Sequence, residues 1–305
     1  MTNNMTSDKP FNKITVSNGK RYGRRLKDNP DDYKSVKLAN ITFLFCIIFE
    51  VVGIMTILFF GTVGAQMSIY FMTFLFSLFL WKKNKDIISI SFRKPEPVKM
   101  AQLIGITVCG VPIALLLNAF AGLLSSSGAD SVEDVNTYPV ILSIVVFAVV
   151  PAIVEEFVFR GVILGAYSKV DVKMGILLSS LFFALLHFSF GSVLYGFFFG
   201  LLFAVVRLST DNLAYTMVMH CLFNAINVLL SYMRLGEITT VAMIGLFVVV
   251  IIGFVILIMI FFQKNTTDTR ISRSEGKYKP YRLITKEGYI TMVVCVIIMG
   301  MLLSL

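Results

Sequence analysis

Long apolar runs separated by short polar segments dominate this chain of 305 residues. Most runs have the roughly 17 to 25 residues that an α-helix needs to cross a hydrocarbon core about 30 Å thick. None shows the alternation of apolar and polar positions, over about ten residues, that is typical of a membrane β-barrel. The pattern therefore predicts an all-α fold, a polytopic transmembrane helical bundle of about eight to nine spans. The predicted spans cover residues 40–60, 66–81, 100–124, 139–167, 174–190, 192–207, 211–232, 239–263 and 288–304.

Composition excludes an ordinary soluble domain, because 57% of the residues are hydrophobic and only 15% are charged. The formal net charge of +9 does not indicate nucleic-acid binding, since the basic residues lie in tails and loops that flank apolar runs. The four cysteines are far apart within apolar runs, so they predict neither a disulfide framework nor a metal site.

Loop charge predicts how the chain is organised across the membrane. Short loops rich in Lys and Arg stay on the cytoplasmic side, whereas the segment 125–137 holds three acids and no base. The sequence thus predicts a multi-pass protein of the cell membrane, with its N-terminus in the cytoplasm and its C-terminus outside. The predicted regions are a basic cytoplasmic arm (1–38), three spans with their loops (39–138), a polar-residue core (139–232) and C-terminal spans with a basic cytoplasmic loop at 264–287 (233–305).

Three charged residues lie inside the fourth predicted span, where one ionisable group costs about 2.5–3.5 kcal/mol on insertion scales. Glu156 and Arg160 are separated by i, i+4 and can pair within their helix. Glu155 points about 100° away from Glu156 and has no such partner. Pro151 cannot donate a backbone hydrogen bond, so we expect it to kink or break this long span.

The two histidines of the chain also fall in predicted spans. His187 lies in the fifth and His220 in the seventh, where Asn224 follows one turn later on the same helix face. Antiparallel helices would bring these groups and Glu155 to similar depths, which predicts one shared site in the cytoplasmic half. Interhelical hydrogen bonding is the structural alternative for each residue alone.

A carboxylate in such a site is a suitable general base for activating water. Histidine and asparagine side chains are suitable donors to an oxyanion that develops on a peptide carbonyl. The residue types therefore compose a site for peptide hydrolysis that needs neither a serine nor a cysteine nucleophile.

Three motifs carry a resemblance to a known family. They are EExxxR at residues 155–160, FxxxH at 183–187 and HxxxN at 220–224. In this order, and within membrane spans, they resemble the CPBP family of CAAX-protease and bacteriocin-processing intramembrane endopeptidases, also called Abi. The resemblance covers residues 139–232 and implies a CAAX-protease-like catalytic core.

The resemblance implies a role for each polar residue of the core. Glu155 would activate water, His187 and His220 would complete the site, Asn224 would stabilise the oxyanion, and Glu156 and Arg160 would support them. The preferred prediction is that the protein uses no cofactor, because the chain has no HExxH helix to preassemble two metal ligands. Zinc held by His187, His220 and Glu155 is the alternative.

The implied partners are a membrane-associated protein or peptide substrate, cleaved near the cytoplasmic leaflet, and the lipid bilayer itself. Nothing in the sequence specifies the substrate, the cleavage site or the oligomeric state. Two other function classes use the same residues. A non-catalytic peptide-binding or immunity protein would hold a peptide in the site, and a proton-coupled transporter would relay protons through Glu155 and the histidines.

Overall fold

The computed structural model describes residues 25–124, 135–233, 240–265 and 278–303, and the regular structure within these ranges is helical. The predicted all-α fold is confirmed. Within these described ranges, nine long helical stretches follow the order of the predicted spans. They are α1 (Pro30–Met55), α2 (Ile57–Lys83), α3 (Pro97–Leu124), α4 (Val140–Ser168), α5 (Val172–Leu185), α6 (Phe190–Thr210), α7 (Leu213–Tyr232), α8 (Thr240–Asn265) and α9 (Lys286–Leu303).

Six described helices, α1 to α4, α6 and α7, are long and apolar enough to cross a membrane. The chain is thus a multi-pass membrane protein. Helix α5 is different, since its 14 residues extend only about 21 Å, less than a hydrocarbon core of about 30 Å. The fifth predicted span is therefore shorter than a full crossing.

The predicted ends of the first two spans are wrong. Helix α1 begins at Pro30, ten residues before the predicted start, because Asn29 accepts a hydrogen bond from the Asp32 backbone and Pro30 suits the first turn. The break to α2 falls at Thr56, whose hydroxyl donates to the Gly53 carbonyl. Gly61 then kinks α2 with a φ of 66°, a conformation that glycine adopts without steric cost.

Helix α4 runs unbroken past Pro151, so the expected break does not occur. Two segments of wider π-type turns, Val145–Val149 and Phe157–Ile163, flank the proline instead. The first contains the carbonyls that face the proline nitrogen, which has no hydrogen to donate. Wider turns of this kind are common at functional sites, and the second begins directly after Glu156.

His187 lies in the turn between α5 and α6, not inside an apolar helix as the sequence predicts for residues 174–190. Helix α5 ends at Leu185, and Phe188 adopts a left-handed backbone with a φ of 49°. This conformation costs a bulky residue about 1–3 kcal/mol, so the surrounding packing must hold the turn. Ser189 then caps α6 through the Ser192 backbone.

Helices α5 and α6 approach closely along small residues. A Cβ added to Gly200 would lie 3.0 Å from the Ser180 Cα, and one added to Gly196 would lie 3.5 Å from the Ala184 Cα. Both pairs are spaced four residues apart, the small-xxx-small arrangement that lets membrane helices pack backbone to backbone. This contact fixes α5, and with it the turn that carries His187.

We expect Gly200→Ala to lower the free energy of unfolding by about 1–3 kcal/mol, because the new methyl group overlaps Ser180 and forces the helices apart. Thermal unfolding of the purified protein in detergent measures the effect. Gly122→Ala is the matched control, since an added Cβ there meets no atom within 4 Å. Equal melting temperatures for the two variants would contradict close α5–α6 packing.

The described loops that carry Lys and Arg residues lie together at one end of the bundle, here called the basic end. Several polar contacts join them. Lys34 of α1 donates a hydrogen bond to Asp86 at 3.2 Å and holds the pKa of that carboxyl below its usual value. Arg93 contacts Asp211 in the α6–α7 turn at 3.4 Å. The basic end thus comprises the start of α1, the α2–α3 and α6–α7 connections and the α4–α5 connection with Lys169.

The opposite end, here called the distal end, comprises the Val135–Thr137 turn and the last turn of α7. The Tyr232 hydroxyl joins the two by hydrogen bonds to the carbonyls of Val135 and Tyr138, at 2.8 and 2.6 Å. Most of the predicted basic arm (1–24), most of the acidic segment (125–134) and part of the basic loop (266–277) lie outside the described residues.

Candidate active site

The four residues predicted to be catalytic line one cavity. Glu155, His187, His220 and Asn224 contribute side chains to a hollow of about 570 Å³. Helices α2 to α7 form its walls together with the α5–α6 turn, and α5 contributes Phe183. The cavity therefore draws on helices before residue 139 as well as on the predicted core.

The predicted pair between Glu156 and Arg160 is present at 2.8 Å, and both side chains are almost fully buried. The guanidinium also donates to the Gly200 carbonyl at 3.3 Å and lies 4.3 Å from the centroid of the Phe183 ring. A charge removed from water needs such partners, because its desolvation costs several kcal/mol. The second π-type segment of α4 carries Arg160 to this position.

Glu156 has a second partner that the sequence did not reveal. Its Oε1 atom accepts a hydrogen bond from His220 Nδ1 at 3.0 Å as well as the one from Arg160. A carboxylate can only accept, so the proton of the His220 ring lies on Nδ1. Glu156 thereby fixes the orientation and tautomer of His220, and the Nε2 atom is left to face Glu155.

Glu155 lies between this histidine and a tyrosine from α2. The Tyr70 hydroxyl donates a hydrogen bond to Glu155 Oε1 at 2.9 Å. The other carboxylate oxygen, Oε2, lies 3.8 Å from His220 Nε2, too far for a direct hydrogen bond. Two polar groups thus converge from different helices on one carboxylate that has no cationic partner in its own helix.

Tyr70 lies outside the three motifs and was not predicted from the sequence. One signal could have found it. Gln66 precedes Tyr70 by four residues in an apolar span, and the two side chains share a helix face and interact. A glutamine within a membrane span usually contacts a polar group.

His187 is held through one of its two ring nitrogens. Nδ1 donates to the Phe183 carbonyl at 3.0 Å, which leaves Nε2 for the cavity. The Phe183 ring lies edge-on to both histidines, with centroid distances of 5.1 Å to His187 and 5.6 Å to His220. This phenylalanine, the first residue of the FxxxH motif, therefore separates the two rings.

Three asparagines face the cavity in different ways. Among the described residues, none hydrogen-bonds to the Asn224 amide, so its donor group is available to a ligand. Asn227 instead donates to the Phe223 carbonyl of its own helix at 3.0 Å. Asn118 of α3, which the sequence analysis did not single out, has a buried Oδ1 atom with no partner in the described part of the chain.

The alternative zinc site would need several ligands close together. Within the described ranges, no three His, Cys, Asp or Glu side chains are grouped so that they could hold one metal ion. His187, His220 and Glu155 share the cavity but do not form a preassembled ligand set.

A second, smaller hollow of about 370 Å³ opens at the basic end. Arg160, Lys169, Arg207 and Asp211 contribute to its lining. Arg160 therefore faces this hollow. Glu156 accepts hydrogen bonds from both Arg160 and His220, and His220 faces the large cavity. The three side chains form a continuous polar chain between the two hollows.

Comparison with protein families agrees with the motifs. The model of a family described as type II CAAX prenyl endopeptidase Rce1-like matches residues 137–226. This range contains the six site residues named from the sequence and ends within α7. Neither a curated protein nor a solved structure matches the chain.

Proposed function

We propose that the chain is a CAAX-type membrane protease of the Rce1-like family, whose model matches residues 137–226, and that it hydrolyses a peptide bond with water activated by Glu155. Membership implies CAAX-type protease activity within the membrane. The observation that carries the specific proposal is the convergence of Tyr70 and His220 on Glu155, whose neighbour Glu156 is already paired.

In the proposed reaction, Glu155 removes a proton from a water molecule as the water oxygen bonds to the peptide carbonyl carbon. The carbonyl oxygen becomes an oxyanion in the tetrahedral intermediate. The carbon–nitrogen bond then breaks, and the leaving amine takes up the proton that Glu155 accepted. The products are a carboxylic acid and an amine, so the reaction consumes one water and leaves the enzyme unchanged.

The other cavity residues support this chemistry by position. Tyr70 donates to Glu155 Oε1, which leaves Oε2 as the atom that accepts the proton. The Asn224 amide is the donor proposed for the oxyanion. The ring protons of His187 and His220 lie on Nδ1, so their Nε2 atoms are acceptors that can orient the attacking water. Arg160 and Glu156 hold His220 in the required orientation. The proposed steps use side chains alone, and the cleavage assay with a chelator tests them against the zinc alternative.

The proposed substrate is a membrane-associated protein or peptide, which reaches the cavity within the bilayer. Cleavage of an internally quenched peptide library by the purified protein in detergent tests the function. We expect cleavage to persist with a strong zinc chelator. Loss of cleavage that added zinc restores would establish the metal-dependent alternative. Tight peptide binding with no cleavage would favour the non-catalytic binding protein.

Asn224→Ala is expected to lower kcat by about 10²–10³-fold, the usual effect of removing one donor to an oxyanion. The KM should change little, because the oxyanion exists only after water has attacked. Steady-state cleavage of the best library peptide measures both constants.

Asn227→Ala is the matched control for that variant. This asparagine faces the same cavity one turn away, but its amide is hydrogen-bonded to the Phe223 carbonyl. Its kcat should therefore stay near that of the unchanged protein. Equal losses in the two variants would remove Asn224 from the proposed oxyanion site.

A further inference from the structure

The large cavity extends from the proposed catalytic residues toward only one end of the bundle. On α4, the lining residues are Phe147, Pro151 and Glu155, and none follows Glu155 toward the basic end. On α7, the lining begins at His220 and continues to Ser231, next to the distal end. The lining residues of these two antiparallel helices thus place the cavity on the distal side of the catalytic groups.

Helix α3 and the Val135–Thr137 turn follow the same rule. The lining residues of α3, from Ala114 to Asn118, belong to the second half of that helix, whose first residue Pro97 lies at the basic end. Val135, in the turn of the distal end, also lines the cavity. The hollow therefore reaches the distal end of the bundle.

Toward the basic end, packed side chains close the cavity. Val158, Val162 and Ile163 of α4 are fully buried there, as is Leu213 at the start of α7. The ion pair of Arg160 and Glu156 is buried at the same level. A peptide that approached from the basic end would have to displace this core.

Charge decides which end faces the cytoplasm. The connections at the basic end carry Lys and Arg, including Lys82, Lys83, Arg93 and Lys169, whereas the segment 125–137 carries three acids and no base. Basic residues in short loops remain cytoplasmic. The basic end is therefore cytoplasmic, and the distal end faces outward.

We propose that the catalytic cavity opens to the outer face of the membrane, and that its substrate is a peptide segment presented at the outer leaflet or beyond it. The assignment of a substrate rests on the proposed protease function, whereas the side of opening does not. It replaces the sequence-based expectation of cleavage near the cytoplasmic leaflet. The translocated parts of membrane-anchored peptides meet this requirement, because their peptide bonds are accessible on the outer side.

Cysteine labelling tests the side of opening without any need for activity. In a chain whose native cysteines are replaced, Asn227→Cys places a thiol on the cavity wall and Lys169→Cys places one at the basic end. We expect a membrane-impermeant maleimide to label the first in intact cells and the second only in inverted vesicles. The reverse pattern would overturn the proposal.

Cleavage in oriented vesicles separates this proposal from the protease function. A membrane-impermeant quenched peptide should be cleaved when it is added to sealed right-side-out vesicles and not when it is added to inverted ones. Cleavage only in inverted vesicles would overturn the side of access and leave the protease function intact. Absence of cleavage in both vesicle types and in detergent would overturn the protease function, while the labelling result would still decide the side of opening.

Discussion

Replacing Glu155 with glutamine is expected to lower kcat by about 10²–10⁴-fold, the range by which a positioned general base accelerates a reaction. Glutamine preserves the size of the side chain and can still accept the hydrogen bond from Tyr70. It cannot take a proton from water. Peptide affinity should therefore remain near that of the unchanged protein, and steady-state cleavage together with equilibrium peptide binding measures the two effects separately.

Glu50→Gln provides the matched control for this prediction. Glu50 is a second membrane carboxylate close enough to interact electrostatically with Glu155, but it does not line the catalytic cavity. Its replacement removes one negative charge and leaves the proposed base in place. Full activity of Glu155→Gln, or an equal loss in both variants, would show that Glu155 is not the base.

The second large effect concerns the buried ion pair. Arg160→Met should lower the free energy of unfolding by about 3–5 kcal/mol, because it leaves the Glu156 carboxylate buried without its cation. Adding Glu156→Leu should restore most of that stability, since a pair of apolar residues of similar volume often replaces a buried ion pair without loss. Denaturant titration of the purified variants in detergent measures these differences.

In the double variant, stability should recover while kcat does not. We expect the double variant to fold, but it lacks the carboxylate that accepts the His220 Nδ1 hydrogen bond, so its kcat should stay low. A merely structural role for Glu156 predicts the opposite, namely that activity returns together with stability. A double-mutant cycle on kcat and on unfolding therefore distinguishes a positioning residue from a packing residue.

Local spacing along the sequence was enough to predict part of the site. The i, i+4 relation of Glu156 and Arg160 depends only on helix geometry, and the pair is observed at 2.8 Å. The same geometry places Asn224 one turn after His220, on the face that lines the cavity. Predictions of this kind succeed because one helix fixes both partners.

Features that depend on several helices could not be predicted in this way. The hydrogen bond between Glu156 and His220 joins positions 64 residues apart, and the one between Tyr70 and Glu155 joins positions 85 residues apart. The end of α5 before His187 depends on a left-handed Phe188, which apolar periodicity does not reveal. Neither the crossing of helices nor the end at which a cavity opens is encoded in the spacing of one segment.

The polar chain of Arg160, Glu156 and His220 also has a consequence for the permeability of the membrane. His220 lines the hollow at the distal end and Arg160 lines the one at the basic end, so the two hollows approach one another across these side chains. A fixed guanidinium charge opposes the passage of protons through such a constriction. The buried ion pair thus keeps protons from crossing the bilayer between the two hollows of the enzyme.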